Sequence, residues 1–127
     1  MFDYNAINMT SILIVDDAAF ARRMLRKILQ ADGYEILEAG NGREGLEMVR
    51  AHTPDCVLTD ILMPDIDGFG FIEMLRAENF HIPTIIISAD IQDASRARGI
   101  ELGAAGFINK PAKEAEVLTA LRNIFKD

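Results

Sequence analysis

Short apolar runs alternate along the chain with longer stretches in which apolar residues recur every three or four positions. Ser11-Ile12-Leu13-Ile14-Val15 is a continuous run rich in β-branched residues and predicts a buried strand. Across Ala18–Asp32, Phe20, Met24 and Ile28 recur every four residues, with Ala21, Leu25 and Leu29 beside them. That spacing predicts a helix with one apolar face, and Gly33 is placed to stop it. Tyr34–Ala39 reads as a second strand of mixed polarity, and Gly42–His52 as a second helix burying Leu46 and Val49. Asp55–Thr59 predicts a third strand and Gly68–Glu78 a third helix, with Ile72 and Leu75 inward. Pro83–Ser88, containing Ile85-Ile86-Ile87, is a fourth strand. Gln92–Leu102 is a helix with little but Ala and Ile to pack. Ala105–Asn109 is a short fifth strand, and Lys113–Phe125 a final helix with Val117, Leu118, Leu121, Ile124 and Phe125 on one face.

Strands and helices in alternation imply an α/β fold, a parallel sheet covered by helices on both faces, joined by right-handed crossovers. The strands ending at Val15, Thr59 and Ser88 are the most apolar and belong inside. The second and fifth belong at the edges. The expected order is therefore 2-1-3-4-5, the flavodoxin-like arrangement.

Composition narrows the classes. The chain has 127 residues, enough for one domain, and half of them are hydrophobic, too many for a disordered chain. No apolar run approaches the roughly 18 residues of a membrane span, and no secretory signal is visible at the N-terminus. The single cysteine, Cys56, precludes an internal disulfide and suits a reducing cytoplasm. A net charge of -7 argues against nucleic acid as the main partner, since phosphate backbones are bound by Lys and Arg. It suits a cation site or a basic partner surface.

Candidate chemistry gathers at the strand ends. In an open parallel sheet, ligands bind beyond the carboxyl ends of the strands, at the point where strand order reverses. Asp16 and Asp17 follow the first strand, Asp60 follows the third, Ser88 ends the fourth, and Lys110-Pro111 follows the fifth. Carboxylates about 4 Å apart repel by on the order of 4 kcal/mol per pair at an effective dielectric near 20. Protonation of one member relieves this, and so does a hard divalent cation. Mg²⁺ suits a few carboxylates plus waters and a phosphate oxygen; Ca²⁺, which takes more protein oxygens, ranks second. With a cation bound, one carboxylate can attack phosphorus. Lys110 is the candidate to neutralise charge on the transferring group, and the Ser88 hydroxyl could bond a phosphate oxygen.

Four motifs carry a resemblance: Ile-Val-Asp-Asp at 14–17, Thr-Asp-Ile-Leu-Met-Pro-Asp-Ile-Asp-Gly at 59–68, Ile-Ser-Ala at 87–89 and Gly-Phe-Ile-Asn-Lys-Pro at 106–111. In this order, from Ser11 to Phe125, the chain resembles the CheY-like receiver domains of two-component response regulators. The resemblance implies a receiver domain over 11–127 behind an N-terminal extension at 1–10, with Met9 an alternative start to Met1. It implies that Asp60 is the phosphoacceptor, forming 4-aspartylphosphate. Asp17 and Asp60 would bind Mg²⁺ directly, Asp16 largely through water, and the backbone carbonyl of Leu62 would be the third protein ligand. Lys110 would contact the phosphoryl group. Ser88 and Phe107 would form a switch pair, and the Lys110–Pro111 peptide would be cis. The implied partners are a histidine kinase or histidine phosphotransfer protein and a downstream protein read by the face of the fourth helix, fifth strand and fifth helix, with neither nucleic acid nor membrane involved. Ala112 departs from the aromatic residue that many relatives carry after the Lys-Pro pair. Leu62 and Asp90 border the pocket at variable positions and are expected to tune phosphoryl lifetime.

Other classes fit less well. A phosphohydrolase with an aspartyl nucleophile needs an acid-base residue two positions after Asp60, where Leu62 stands. A phosphorylation-independent adaptor has no need of Asp17, Asp60 and Lys110 together. A nucleotide or flavin carrier lacks a glycine-rich loop after the first strand. Read singly, the same residues have plainer roles. Asp16 and Asp17 could cap the first helix, and Ser88 the next segment; Asp65 and Asp67 read as turn and cap residues. Cys56 reads as packing. His52 and His81 have no partners at zinc spacing.

Overall fold

A computed structural model describes residues 9–89 and 92–126. The 1–10 extension lies outside the described residues up to position 8, and so does Asp90. Ten elements alternate: β1 (Ser11–Val15), α1 (Ala19–Ala31), β2 (Glu35–Ala39), α2 (Gly42–His52), β3 (Cys56–Thr59), α3 (Gly68–Ala77), β4 (Thr84–Ser88), α4 (Asp93–Glu101), β5 (Gly106–Asn109) and α5 (Glu114–Phe125). The strands form one parallel sheet in the order β2-β1-β3-β4-β5. This is the expected flavodoxin-like arrangement, and several boundaries fall one residue inside the predicted ones. The residues trimmed are mostly junctions: Tyr34 N–H returns to the Leu29 carbonyl to close α1, and Pro83 offers β3 only its carbonyl.

β1, β3 and β4 are buried along almost their whole length, which their uninterrupted apolar runs require. Successive side chains leave the sheet on opposite faces. Ile12, Ile14, Leu58, Ile85 and Ile87 meet α1 and α5 through Leu25, Leu29, Val117 and Leu121. Leu13, Val15 and Val57 meet α2 and α3 through Leu46, Val49, Phe71 and Leu75. A smaller cluster of Ile61, Phe69, Ile72 and Ile86 continues that second layer, with Phe107 packed against it.

One expectation needs correcting. The apolar residues of α1 do not form a single buried face. Leu25 and Leu29 are buried, whereas Phe20 is 70% and Met24 46% exposed. Their stripe runs past the core and lines an apolar groove of about 420 Å³ with Ala89, Pro111 and Ala112.

Candidate functional site

β1 and β3 are neighbours, while the chain leaves them for opposite edges of the sheet, so a crevice opens at their carboxyl ends. Asp16 continues β1, its N–H bonded to the Ala39 carbonyl at 3.1 Å; Asp60 continues β3, its N–H bonded to the Val15 carbonyl at 3.0 Å. Ladder bonds thus extend to both aspartates and fix their backbones on the rigid sheet. Asp16 is 2% exposed and Asp60 9%; Asp17 is exposed at the rim. One carboxylate oxygen from each lies within 4.8 Å of the others.

Lys110 reaches this group from the far side of the sheet. Its backbone N–H donates to the Ser88 carbonyl at 3.0 Å, tying the residue to the end of β4. Its Nζ donates to Asp16 Oδ2 at 2.7 Å and to Asp60 Oδ2 at 2.8 Å. The remaining oxygens accept from the backbone: Asp16 Oδ1 from the Ala18 N–H at 2.9 Å, and Asp60 Oδ1 from the Ile61 N–H at 2.7 Å. Burial alone pulls the Lys110 ammonium pKa down, but the hydrogen bonds to Asp16 and Asp60 outweigh it and leave it above the ordinary lysine value. Lys110 therefore carries its charge here. Three carboxyl groups against one ammonium give the pocket a formal charge of -2. An all-oxygen donor set of that charge fits a hard divalent cation of the Mg²⁺ type.

The capping alternative is weaker than the sequence allows. The N-cap of α1 is Ala18, without a side-chain cap bond. Asp16 does bond the Ala18 N–H, but with the one oxygen that Lys110 leaves. Asp67 Oδ1 caps α3 through the Gly70 N–H at 2.8 Å, and Asp65 stands at φ 72° paired with Arg43 at 3.0 Å; both keep their turn and cap roles. Ser88 is buried at the end of β4, opposite Asn109 in the register. Phe107 lies on β5 opposite Ile86. The Lys110–Pro111 peptide is cis. The Leu62 side chain is 66% exposed, two positions after Asp60. Cys56 is buried away from solvent, which pushes its thiol up to about 12 and leaves it inert. Among the described residues, Asp16, Asp17 and Asp60 are the group with metal-ligand spacing, and neither histidine joins it.

Two contributors escaped the sequence reading. Gly68 N–H donates to the Ile61 carbonyl at 2.8 Å, and a Cβ at Gly68 would drive into the Asp60 carbonyl oxygen. Gly68 therefore lets the loop close beneath Asp60; its position after a run of turn residues signals a turn, not this contact. Arg22 Nη1 donates to the Asp16 carbonyl at 2.5 Å while its Nε is held by Glu38 at 3.0 Å. Glu38 also pairs with Arg26. Nothing in the spacing of Arg22 and Glu38 announces that pairing, which depends on β2 lying beside α1.

Comparison with known proteins agrees with this geometry. The profile of the response regulator receiver domain matches residues 12–122. The chain is 40% identical over 116 residues to the chemotaxis protein CheY of Thermotoga maritima, covering 91% of this chain and 97% of that protein. It is 37% identical over 120 residues to the probable transcriptional regulator ycf27 of Cyanophora paradoxa, covering 94% of this chain. It spans only about half the length of such ycf27 regulators. Among solved structures, the chemotaxis protein CheY4 of Vibrio cholerae superimposes with a TM-score of 0.87 at 28% identity, over 92% of this chain and 99% of that one. A parallel sheet in the order 2-1-3-4-5, an acidic crevice at its switch point and a profile match over nearly the whole chain lead to one assignment: the chain belongs to the response regulator receiver domain family of two-component systems.

Proposed function

We propose that this receiver, taken as residues 11–127, accepts a phosphoryl group on Asp60 from a phosphohistidine of a kinase or phosphotransfer protein. The observation that carries the reading is Lys110 Nζ bridging Asp16 and Asp60 inside a cluster of three carboxylates. Asp60 Oδ1 is held by the fixed Ile61 N–H and Oδ2 by the Lys110 ammonium, which can swing onto a phosphoryl oxygen, so Oδ2 is the oxygen we assign to attack on phosphorus. The Oδ2–P bond forms as the imidazole N–P bond breaks, and the imidazole takes a proton from solvent. Lys110 then follows charge from Asp60 Oδ2 onto a phosphoryl oxygen, and Ser88, at the adjacent strand end, offers a hydroxyl donor. Asp16, Asp17, Asp60 and the Leu62 carbonyl would hold Mg²⁺, which when bound screens the carboxylates and neutralises charge on the phosphoryl oxygens. The domain is its own substrate, not an enzyme acting on another molecule. Phosphorylation shifts the balance between two arrangements of Ser88 and Phe107, and a protein partner reads α4, β5 and α5. No helix among the described residues is long and apolar enough to cross a membrane, and we place the reaction in the cytoplasm, where such kinases present their phosphohistidine.

Incubation with acetyl phosphate and Mg²⁺, followed by intact-mass measurement, tests this. A single phosphate adduct that disappears in Asp60→Asn is expected. No adduct on the wild-type chain, with no Mg²⁺ binding, refutes the reading. The exposed Leu62 side chain, two positions after Asp60, restricts hydrolytic water, so Leu62→Asn should shorten the life of the adduct; an unchanged decay rate removes that role.

A further inference from the structure

α4 is attached to the sheet in an unusual way. Its sequence, Asp-Ala-Ser-Arg-Ala-Arg-Gly-Ile-Glu, offers almost no apolar face, and its buried residue is Gly99. Ile100, its one large apolar side chain, is 61% exposed. A Cβ at Gly99 would stand 2.7 Å from both Cε1 and Cζ of Phe107 and 2.9 Å from Cδ1 of Ile86. Real Cβ atoms do not approach that closely, so the Phe107 ring occupies the space where any other residue would carry its side chain. Arg96, one turn back on α4, closes over the ring with its guanidinium carbon 4.8 Å from the centroid, within cation–π range. The ring is thus gripped by α4 on two sides, by an absent side chain and by a cation.

We propose that Gly99 is a positioning residue, a socket that couples the place of the Phe107 ring to the seat of α4. Glycine is otherwise a poor choice in a helix interior, where alanine is the better former. Its presence is explained by the ring. With the ring in the socket, α4 lies against β4 and β5. With the ring out, α4 keeps Ile86 beside Gly99 but loses the ring contact and the Arg96 stack together. Ring and helix therefore move as one unit, and any protein that contacts both reads a single equilibrium. The coupling belongs to the unmodified chain. A failure of Asp60 to take phosphate leaves it standing, and only its use as an output of phosphorylation rests on the function proposed above.

The test is a double-mutant cycle of Gly99→Ala and Phe107→Ala on the full chain, read by thermal unfolding and by the Ile86 δ1-methyl resonance, which reports the ring beside it. In the wild-type background, Gly99→Ala should lower Tm by a few degrees and move the Ile86 methyl signal, because the ring must leave. In the Phe107→Ala background the same substitution should raise Tm, since the ring is gone, only the flexible Cδ1 end of Ile86 has to turn aside, and helix propensity favours alanine. If Gly99→Ala alone fails to fold, recovery of the folded state in the double variant reads the same coupling. A rise in Tm in both backgrounds, with the Ile86 methyl signal unmoved, overturns the proposal.

Discussion

α3 and α4 are consecutive helices of ten and nine residues beside the same sheet, yet they are held in opposite ways. α3 buries Phe69, Phe71, Ile72 and Leu75 and carries an Asp67 side-chain cap. α4 buries Gly99, has no side-chain cap, and meets its neighbours largely through arginines: Arg96 over Phe107, Arg98 over Phe69 and paired with Glu73. α3 begins at Gly68, packed against the Asp60 backbone, where displacements of less than an ångström would spoil the geometry of Asp60 and Lys110. α4 itself, Asp93–Glu101, carries none of the crevice's Asp16, Asp17, Asp60 and Lys110. Elements with few buried apolar contacts occupy the low end of the local-stability range and move at little cost. Under the proposed function, chemistry and movement fall to differently anchored parts of one sheet.

The largest expected effect breaks the anchored side. Phe71 is fully buried, and Phe71→Ala should cost about 3–5 kcal/mol of unfolding free energy in urea titration. Its counterpart on α4, Ile100→Ala, should stay within about 0.5 kcal/mol because that side chain is already in solvent. Equal costs would erase the contrast. Next comes Gly68→Ala. The added methyl meets backbone at Asp60, which cannot rotate away, so about 1–3 kcal/mol is expected together with a lower yield of acetyl phosphate adduct.

A third test uses alkaline pH. Burial raises the Cys56 thiol in the folded chain to about 12, above its value in the unfolded chain. A raised folded value contributes stability that is complete below the unfolded pKa and is lost as pH climbs through the folded one. Between about pH 9 and 12, unfolding free energy should fall more steeply in the wild type than in Cys56→Ala, by about 1 kcal/mol at pH 10. Parallel curves would mean that the β3 core admits water. The smallest effect sharpens the α4 side. Arg98 and Glu73 are both about half exposed, so Arg98→Ala should cost no more than about 1 kcal/mol, and less in high salt.

Much of this architecture was legible in the residues. The unbroken apolar runs of β1, β3 and β4 could only be interior strands, and the mixed polarity of Tyr34–Ala39 suited an edge. The weak pattern over Gln92–Leu102 already offered that helix little but Ala and Ile to pack. What periodicity could not show was which apolar residues find a cover. Phe20 and Met24 share the spacing of Leu25 and Leu29 but lie beyond the reach of the sheet and remain exposed. Gly68 read only as a turn and Gly99 drew no reading at all, because their contacts are with Asp60 and Phe107, each eight residues away and on another element.

Taken by itself, the amino-acid sequence determined the order of elements, the interior strands and the residue types available at each strand end. These depend on local period and polarity, which neighbours along the chain suffice to express. Only the tertiary structure decided that Lys110 Nζ stands within hydrogen-bond distance of both Asp16 and Asp60, across separations of 94 and 50 residues, and that the Phe107 ring fills the space beside Gly99. Those distances follow from strand register and helix packing, which the chain settles only when all five strands pair and both faces of the sheet are covered at once.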